Sequence, residues 1–316
     1  MKKSIKLFLM GTIVFSPTVW ARKTRTLLSK PWDGNQYHSN SDRQSVAGQL
    51  LLDMMSPEDF RECDLIADFG CGTGKTLHVI AEKSPKASLI GFDLSQSMIE
   101  KAKAENKSKQ ISFEQADIQD LPNEYSASCD LIFSSATMHW VPDHEAVFYQ
   151  VGRYLKPGGK VLMSANIKFD PNSYPLFKAF ATINKQEKWV NHFKGFSDQF
   201  EGFNGIDLEK LEQYLAGNDL IIIKKAIFNE EAGNDAPATI SFKDKQALIE
   251  WLKGWIIGFS AVEAMSQEDR NAYLIAIVDE YVDNLPPSSD GRIYHMMAPS
   301  IRLYAQKLLS KGAAHE

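Results

Sequence analysis

The chain has 316 residues, 44% of them hydrophobic and 24% charged, and a formal net charge of −5 at pH 7. That length suits one large α/β domain with elaborations or two modest domains, and the composition is that of an ordinary globular protein. The acidic balance provides no general pull toward nucleic acid or anionic lipid, so a small-molecule partner is expected.

In chain order, Met1 to Lys6 is basic, Leu7 to Phe15 is mostly apolar, and Val19-Trp-Ala21 resembles a small-residue cleavage site. This is the pattern of a short secretory signal. Lys6 and the basic cluster Arg22-Lys-Thr-Arg25 oppose export. Nine apolar residues cannot cross a hydrocarbon core of ~30 Å, so no stable membrane span is expected. Residues 1–25 are therefore set apart from the fold. The cytoplasmic location is preferred, and a secreted or periplasmic one stays open.

Residues 43–55 have the spacing of an amphipathic helix. Asp64-Leu-Ile-Ala-Asp-Phe69 is a short apolar run stopped by glycines, hence a buried strand, and a helix follows over Thr76 to Lys83. Ser88 to Asp93 reads as a second strand, and Ser95 as the N-cap of a helix to Lys103. Ile111 to Ala116 and Cys129 to Ser134 are two further strands. A helix over Glu145 to Leu155 ends at Lys156-Pro-Gly-Gly159, and Lys160 to Ala165 is a fifth strand. Strand and helix alternating with short connections predict a doubly wound, mostly parallel, Rossmann-like sheet of about seven strands.

After residue 170 the rhythm changes. A helical, aromatic stretch (173–215) precedes a strand over Leu220 to Ile227 and a turn-rich linker, 229–237. Helices fill about 243–284, and Ile301 to Gln306 reads as a last strand. The predicted organisation is a lid helix and ligand-binding core over 26–170. Helical insertions over 171–316 then form a cap, with C-terminal strands completing the same domain.

Asp68-Phe-Gly-Cys-Gly-Thr-Gly74 ends the first strand. In open α/β sheets, ligands bind beyond the carboxyl ends of the strands, where glycines admit close backbone approach and a helix N-terminus offers free N–H groups. Alone, such a loop could equally be a tight turn or serve a nicotinamide cofactor. Asp93 at the next strand end can accept both hydroxyls of a ribose, and Asp117, with Ile118, follows the third strand where an adenine would lie. Cys63, Cys71 and Cys129 cannot pair completely, and none lies in a C-x-x-C spacing or near clustered histidines, so neither a disulfide frame nor a metal site is expected.

With these features the chain resembles the class I S-adenosylmethionine methyltransferases. The resemblance implies S-adenosyl-L-methionine as cofactor, its methionine portion held by Asp68 and by the backbone from Gly70 through Cys71 and Gly72 to Gly74. It implies ribose recognition by Asp93 with Leu94 and Met98 in the cofactor-binding set, adenine recognition by Asp117 and Ile118, and Ser134 on the methionine side. Thr76 reads as a helix-face residue.

A narrower resemblance rests on Tyr37-His-Ser-Asn-Ser-Asp-Arg-Gln44, Met138-His-Trp-Val141, Glu187-Lys-Trp189 and Ile301-Arg-Leu-Tyr-Ala-Gln-Lys307, which look like juvenile hormone acid methyltransferases. The region ending in Pro142-Asp-His144 is similar to trans-aconitate methyltransferases. Both groups methylate carboxylates, and the resemblance implies that Gln44 and Trp140 hold the acceptor carboxylate. Their amide and indole N–H groups are uncharged donors, able to orient a carboxylate without quenching it. His139 would be a general base only for a hydroxyl or amine acceptor, and is otherwise a structural histidine. Trp32 and Tyr37 are expected in an N-terminal lid. Trp189, His192 and Phe193 read as cap core, and residues 251–260 as either an acceptor wall or an edge cap.

The expected activity is therefore O-methylation of a small organic acid. Alternatives are methylation of another oxygen, carbon or nitrogen of a metabolite, or of a carrier-bound acyl group. Outside the class stand a nicotinamide-dependent oxidoreductase and a non-catalytic cofactor-binding protein. The oligomeric state is left open.

Overall fold

The structure is a computed structural model that describes residues 42–195, 203–228, 239–254 and 259–309, together with Gly34 and Ile256. Residues 1–25, Trp32 and Tyr37 lie outside the described residues.

Helix α1 (Asp42–Leu52) and the short α2 (Pro57–Arg61) lead into β1 (Leu65–Phe69), α3 (Lys75–Lys83) and β2 (Ser88–Asp93). Then come α4 (Gln96–Glu105), β3 (Ile111–Gln115), β4 (Cys129–Ser135), α5 (His144–Tyr154) and β5 (Leu155–Asn166). Among the described residues the main sheet has seven strands, completed by β6 (Leu220–Phe228) and, after a further excursion, by a strand over Ser300–Lys307. In chain order that last strand is β9, and the sheet order is β3-β2-β1-β4-β5-β9-β6. The five strands from β3 to β5 are parallel, and β9 lies antiparallel between β5 and β6. The expected doubly wound sheet is therefore present.

The chain moves outward from β1 to β3 and then crosses back to lay β4 on the other side of β1. Strand order reverses between β1 and β4, and the loop after β1 opens at that reversal, where α/β sheets hold ligands. Two apolar layers fix the sheet. On one face Phe69, Phe92, Ile132 and Met163 pack with Phe148 and Val151 of α5 and with Leu211 and Leu215 of α7 (Leu208–Ala216). On the other Ile66, Leu89, Phe133 and Leu162 pack with Leu51 of α1, Leu77 of α3 and Ile99 of α4. The alternation of these residues along each strand is the period-two pattern of a sheet covered on both faces.

The cap has a core of its own. Helix α6 (Pro175–Ile183), α8 (Lys245–Lys253), the short α9 (Ser260–Glu263) and α10 (Gln267–Asp283) enclose Phe180, Trp189, Leu248, Phe259, Tyr273 and Ile277. A two-stranded ribbon of β7 (Thr239–Phe242) and β8 (Ile293–Met296) closes this core. Trp189 is buried in it, edge-on to Tyr273 at 5.3 Å. Phe193 lies half-buried 5.8 Å from the same ring, and His192 6.1 Å from Trp189.

Three elements differ from the sequence reading. Helix α1 stops at Leu52, before Met55. Strand β5 begins at Leu155 because Leu155 pairs with Cys129, and Lys156 to Gly159 bulges before pairing resumes at Leu131–Lys160. Pro157 and the left-handed Gly158 (φ 80°) thus form an irregularity inside the strand, where a turn ahead of it was expected. The β7–β8 ribbon was not anticipated. The three cysteines are unpaired and buried at the end of α2, in the glycine loop and at the start of β4. Among the described residues no helix is long and apolar enough to cross a membrane, and no cluster of three or more His, Cys, Asp or Glu is placed to hold a metal ion.

Candidate active site

The glycine loop leaves β1 in a left-handed path, with Gly70, Gly72 and Gly74 at φ 81°, 53° and 79°. A side chain at Gly70 would place its Cβ 2.2 Å from the Thr137 methyl, so the loop is glycine for contact as well as for conformation. The Gly70 and Cys71 amides donate to the Phe92 carbonyl at 2.8 and 2.9 Å, fastening the loop to the end of β2. Gly74 occupies the N-cap of α3 in a left-handed conformation and makes no side-chain cap bond.

Asp93 closes the arrangement. Its two carboxylate oxygens accept one backbone bond each, from Gly72 and from Ser95, both at 2.9 Å. A carboxylate offers about four acceptor positions, so two remain for a pair of ribose hydroxyls. Burial pushes its pKa up, and the two backbone bonds work in the opposite direction. Leu94 beside it is 46% exposed, an apolar side chain left in solvent. Ser95 caps α4 by accepting from the Met98 amide, and Met98 is buried behind it.

Asp68 is only 2% exposed, and among the described residues no hydrogen bond reaches its carboxyl. Burial first, and then the charge of Asp93, raises its pKa well above the ordinary carboxylate value. A buried carboxyl without a partner is costly unless a ligand supplies one. A cationic amine at this position would do so. A buried carboxyl, the left-handed glycine path and the Asp93 carboxylate together fit the methionine and ribose portions of S-adenosylmethionine.

Asp117 sits just past β3. Its carboxylate accepts from the backbone and side-chain N–H groups of Gln119 at 2.9 Å, while Ile118 is buried beneath the loop. Ser134 is fully buried at the end of β4, and its hydroxyl donates to the Phe69 carbonyl at 2.8 Å. Its role here is to tie β4 to β1. Cys71 is buried, and packing against Gly91 leaves no room for a Cβ there. Thr76 lies on α3 where α1 crosses it, 3.2 Å from the Cβ position of Gly48.

On the acceptor side, a short 3-10 turn over Met138–Trp140 follows β4. Trp140 is half-buried between His139 (5.1 Å), Phe203 (5.5 Å) and Phe259 (6.3 Å), so it bridges the sheet and the cap. His139 is buried, its ring tilted 37° to that of Phe203 at 5.2 Å, with Nδ1 accepting from the Asn166 amide at 3.4 Å. Burial, and then the neighbouring His144, lowers its pKa to about 3. It is therefore neutral at pH 7 and a weak base. Trp251 belongs to the cap, packed on Phe242 and His295, whereas Phe259 faces Trp140; the 251–260 stretch divides between the two expected roles. Gln44 lies in the first turns of α1, and its side chain is outside the described residues.

A family model described as a methyltransferase domain matches residues 64–201, from the entry to β1 through the glycine loop and into the cap. A trans-aconitate 2-methyltransferase of Deinococcus radiodurans is 32% identical over 165 residues, 52% of this chain and 60% of that one. Another, from Azoarcus sp., is 25% identical over 269 residues, 83% of this chain and 93% of that one. The chain carries a methyltransferase domain over residues 64–201. Its fold is shared with a solved structure from Bacillus halodurans C-125 at a TM-score of 0.52 and 15% identity, covering 83% of this chain and 99% of that chain.

Several residues that shape the candidate site gave no signal in the sequence. Thr137 donates to the Gly70 carbonyl at 3.2 Å across 67 residues of chain. Arg153 on α5 binds the loop after Ile118, donating to the Leu121 carbonyl (2.6 Å), Ser126 Oγ (3.0 Å) and Asn123. Its guanidinium lies 5.0 Å over the Tyr154 ring. Phe203 sits in the stretch read as helical and became part of the aromatic wall. None of these has a local spacing that distinguishes it from a surface or core residue.

Proposed function

We propose that the methyltransferase O-methylates the carboxylate of a small organic acid. The observation that carries this reading is the state of His139. The imidazole beside Trp140 is buried, neutral and weakly basic, and so is poorly suited to take a proton from a hydroxyl or an amine. A carboxylate is ionised at pH 7 and needs no base.

S-adenosylmethionine supplies an electrophilic methyl group on a sulfonium sulfur. The chain must then hold one carboxylate oxygen in line with that methyl and keep water out, which is catalysis by proximity and desolvation. The aromatic wall of Trp140, Phe203 and Phe259 suits the exclusion of water. Trp140 and Gln44 are assigned as the donors that orient the acid, and Asp68, Asp93 and Asp117 as contacts to the methionine, ribose and adenine. The names of the similar proteins from Deinococcus and Azoarcus, whose acceptor is an organic acid, support the same class of acceptor.

The test supplies purified protein with methyl-labelled cofactor and a panel of aliphatic, terpenoid and tricarboxylic acids. Label should appear in a product that mild base releases as methanol. Label that survives base would overturn the reading in favour of carbon or nitrogen methylation.

A further inference from the structure

Two loops converge on one side chain. The first follows β3 and carries Asp117; the second follows β4, carries His139 and Trp140, and runs into Asp143 at the start of α5. Gln119 joins them. Its Nε2 donates to both Asp117 carboxylate oxygens, at 2.9 and 3.2 Å, and its Oε1 accepts from the Asp143 backbone amide at 3.2 Å. Its own amide donates to Asp117 Oδ1 at 2.9 Å, and its carbonyl accepts from Gln150 Nε2 on α5 at 3.2 Å. Asp143 in turn caps α5 by accepting from Ala146 at 2.9 Å.

A glutamine amide carries a donor and an acceptor on one rigid planar group without charge. Here the donor end is fixed to the loop assigned to the adenine and the acceptor end to the loop assigned to the acid. Rotating Asp117 toward or away from a bound adenine therefore pulls on the backbone three residues after Trp140. We propose that Gln119 is a positioning residue that couples occupancy of the adenine site to ordering of the acceptor loop, so that Trp140 is set in place when cofactor is bound. The proposal rests on the assignment of Asp117 to the adenine and Trp140 to the acceptor.

The contacts also say what each change of residue removes. Gln119→Glu keeps an oxygen for the Asp143 amide but sets a carboxylate against Asp117. Gln119→Met keeps the length and removes both links. If Gln119 merely braced the surface, either variant would lower stability without altering how one loop responds to the other.

The experiment is hydrogen exchange on the full chain with and without S-adenosylhomocysteine, read at the backbone amides of 117–121 and 138–146. In the unmodified protein S-adenosylhomocysteine is expected to slow exchange in both segments. In Gln119→Met it should slow the first and leave the second unchanged. Gln119→Glu should weaken S-adenosylhomocysteine binding by about tenfold or more, the scale of losing a hydrogen bond to a charged group. At saturating ligand it should slow exchange at 117–121 and leave 138–146 unchanged, because the link to Asp117 is lost although the Asp143 link is retained. Equal protection of 138–146 in the unmodified protein and Gln119→Met would overturn the coupling and leave the adenine assignment standing. Absence of protection at 117–121 in the unmodified protein would overturn that assignment, and the coupling with it.

Discussion

At the scale of single residues, Asp68 has the most to gain from a ligand. Its carboxyl is buried beside Asp93 and its pKa is raised, first by burial and then by that neighbouring charge. A carboxyl raised in the folded state stabilises the fold below its unfolded pKa, and that contribution is lost as pH rises through the folded value. A cationic ammonium placed against Asp68 favours the carboxylate and reverses the balance. Cofactor binding should therefore expel a proton between the ordinary aspartate value and the raised one, and affinity should climb with pH across that window. Calorimetry in two mildly acidic buffers of different ionisation enthalpy should give different heats for the unmodified protein and matching heats for Asp68→Asn. Matching heats for both proteins would remove Asp68 from this role. Asp68, Asp93 and Asp117 stood out as candidates in the sequence because each lies within two residues of a strand's end, where the period-two pattern stops. Thr137 and Gln119 did not, since their meaning depends on partners that only the fold brings near.

At the scale of elements, the loop between β1 and α3 depends on contact with the turn after β4. Gly70→Ala would bring its Cβ to 2.2 Å from the Thr137 side chain while holding alanine at φ 81°. Strain of that kind costs about 1–3 kcal/mol before the overlap is counted. The variant should melt lower and bind S-adenosylhomocysteine at least about tenfold more weakly. Adding Thr137→Gly, which removes the obstructing atoms, should recover part of the affinity; no recovery would place the defect in the backbone alone. Strands β1 to β4 were legible as apolar runs bounded by glycine, aspartate or serine. The β7–β8 ribbon was not, because each strand is only four residues long and some fifty residues separate them. The start of β5 was misread because Pro157 and Gly158 are the usual marks of a turn, and a bulge uses the same residues.

At the scale of the whole molecule, the cap core is a cluster apart from the two layers that pack on the sheet. It meets the sheet's loops at Trp140, which touches Phe203 and Phe259. Trp189→Ala, deep in the cap, should cost about 3–5 kcal/mol of cap stability. S-adenosylhomocysteine affinity should stay within about twofold, as expected for a site with no shared partners. Thermal unfolding followed with and without S-adenosylhomocysteine would show this as a cap transition that moves down while the ligand-stabilised transition holds. A parallel fall of both would mean that cap and sheet unfold as one unit. That helices would dominate after the fifth strand was readable from the change of rhythm after residue 170; which of their aromatics lie beside Trp140 was not, since a stripe of large apolar residues looks the same in a core and in a wall.

The three buried thiols carry a last consequence. Burial pushes Cys63 and Cys129 up to about 12 and Cys71 well above its ordinary value. Alkylating reagents act on thiolates, so the folded chain presents them with almost nothing to attack. Each sulfur becomes reactive only during a local opening, at the end of α2, in the cofactor loop or at the root of β4. The protein thus contains three chronometers of its own breathing, and the one at Cys71 runs at the rate at which the cofactor loop comes apart.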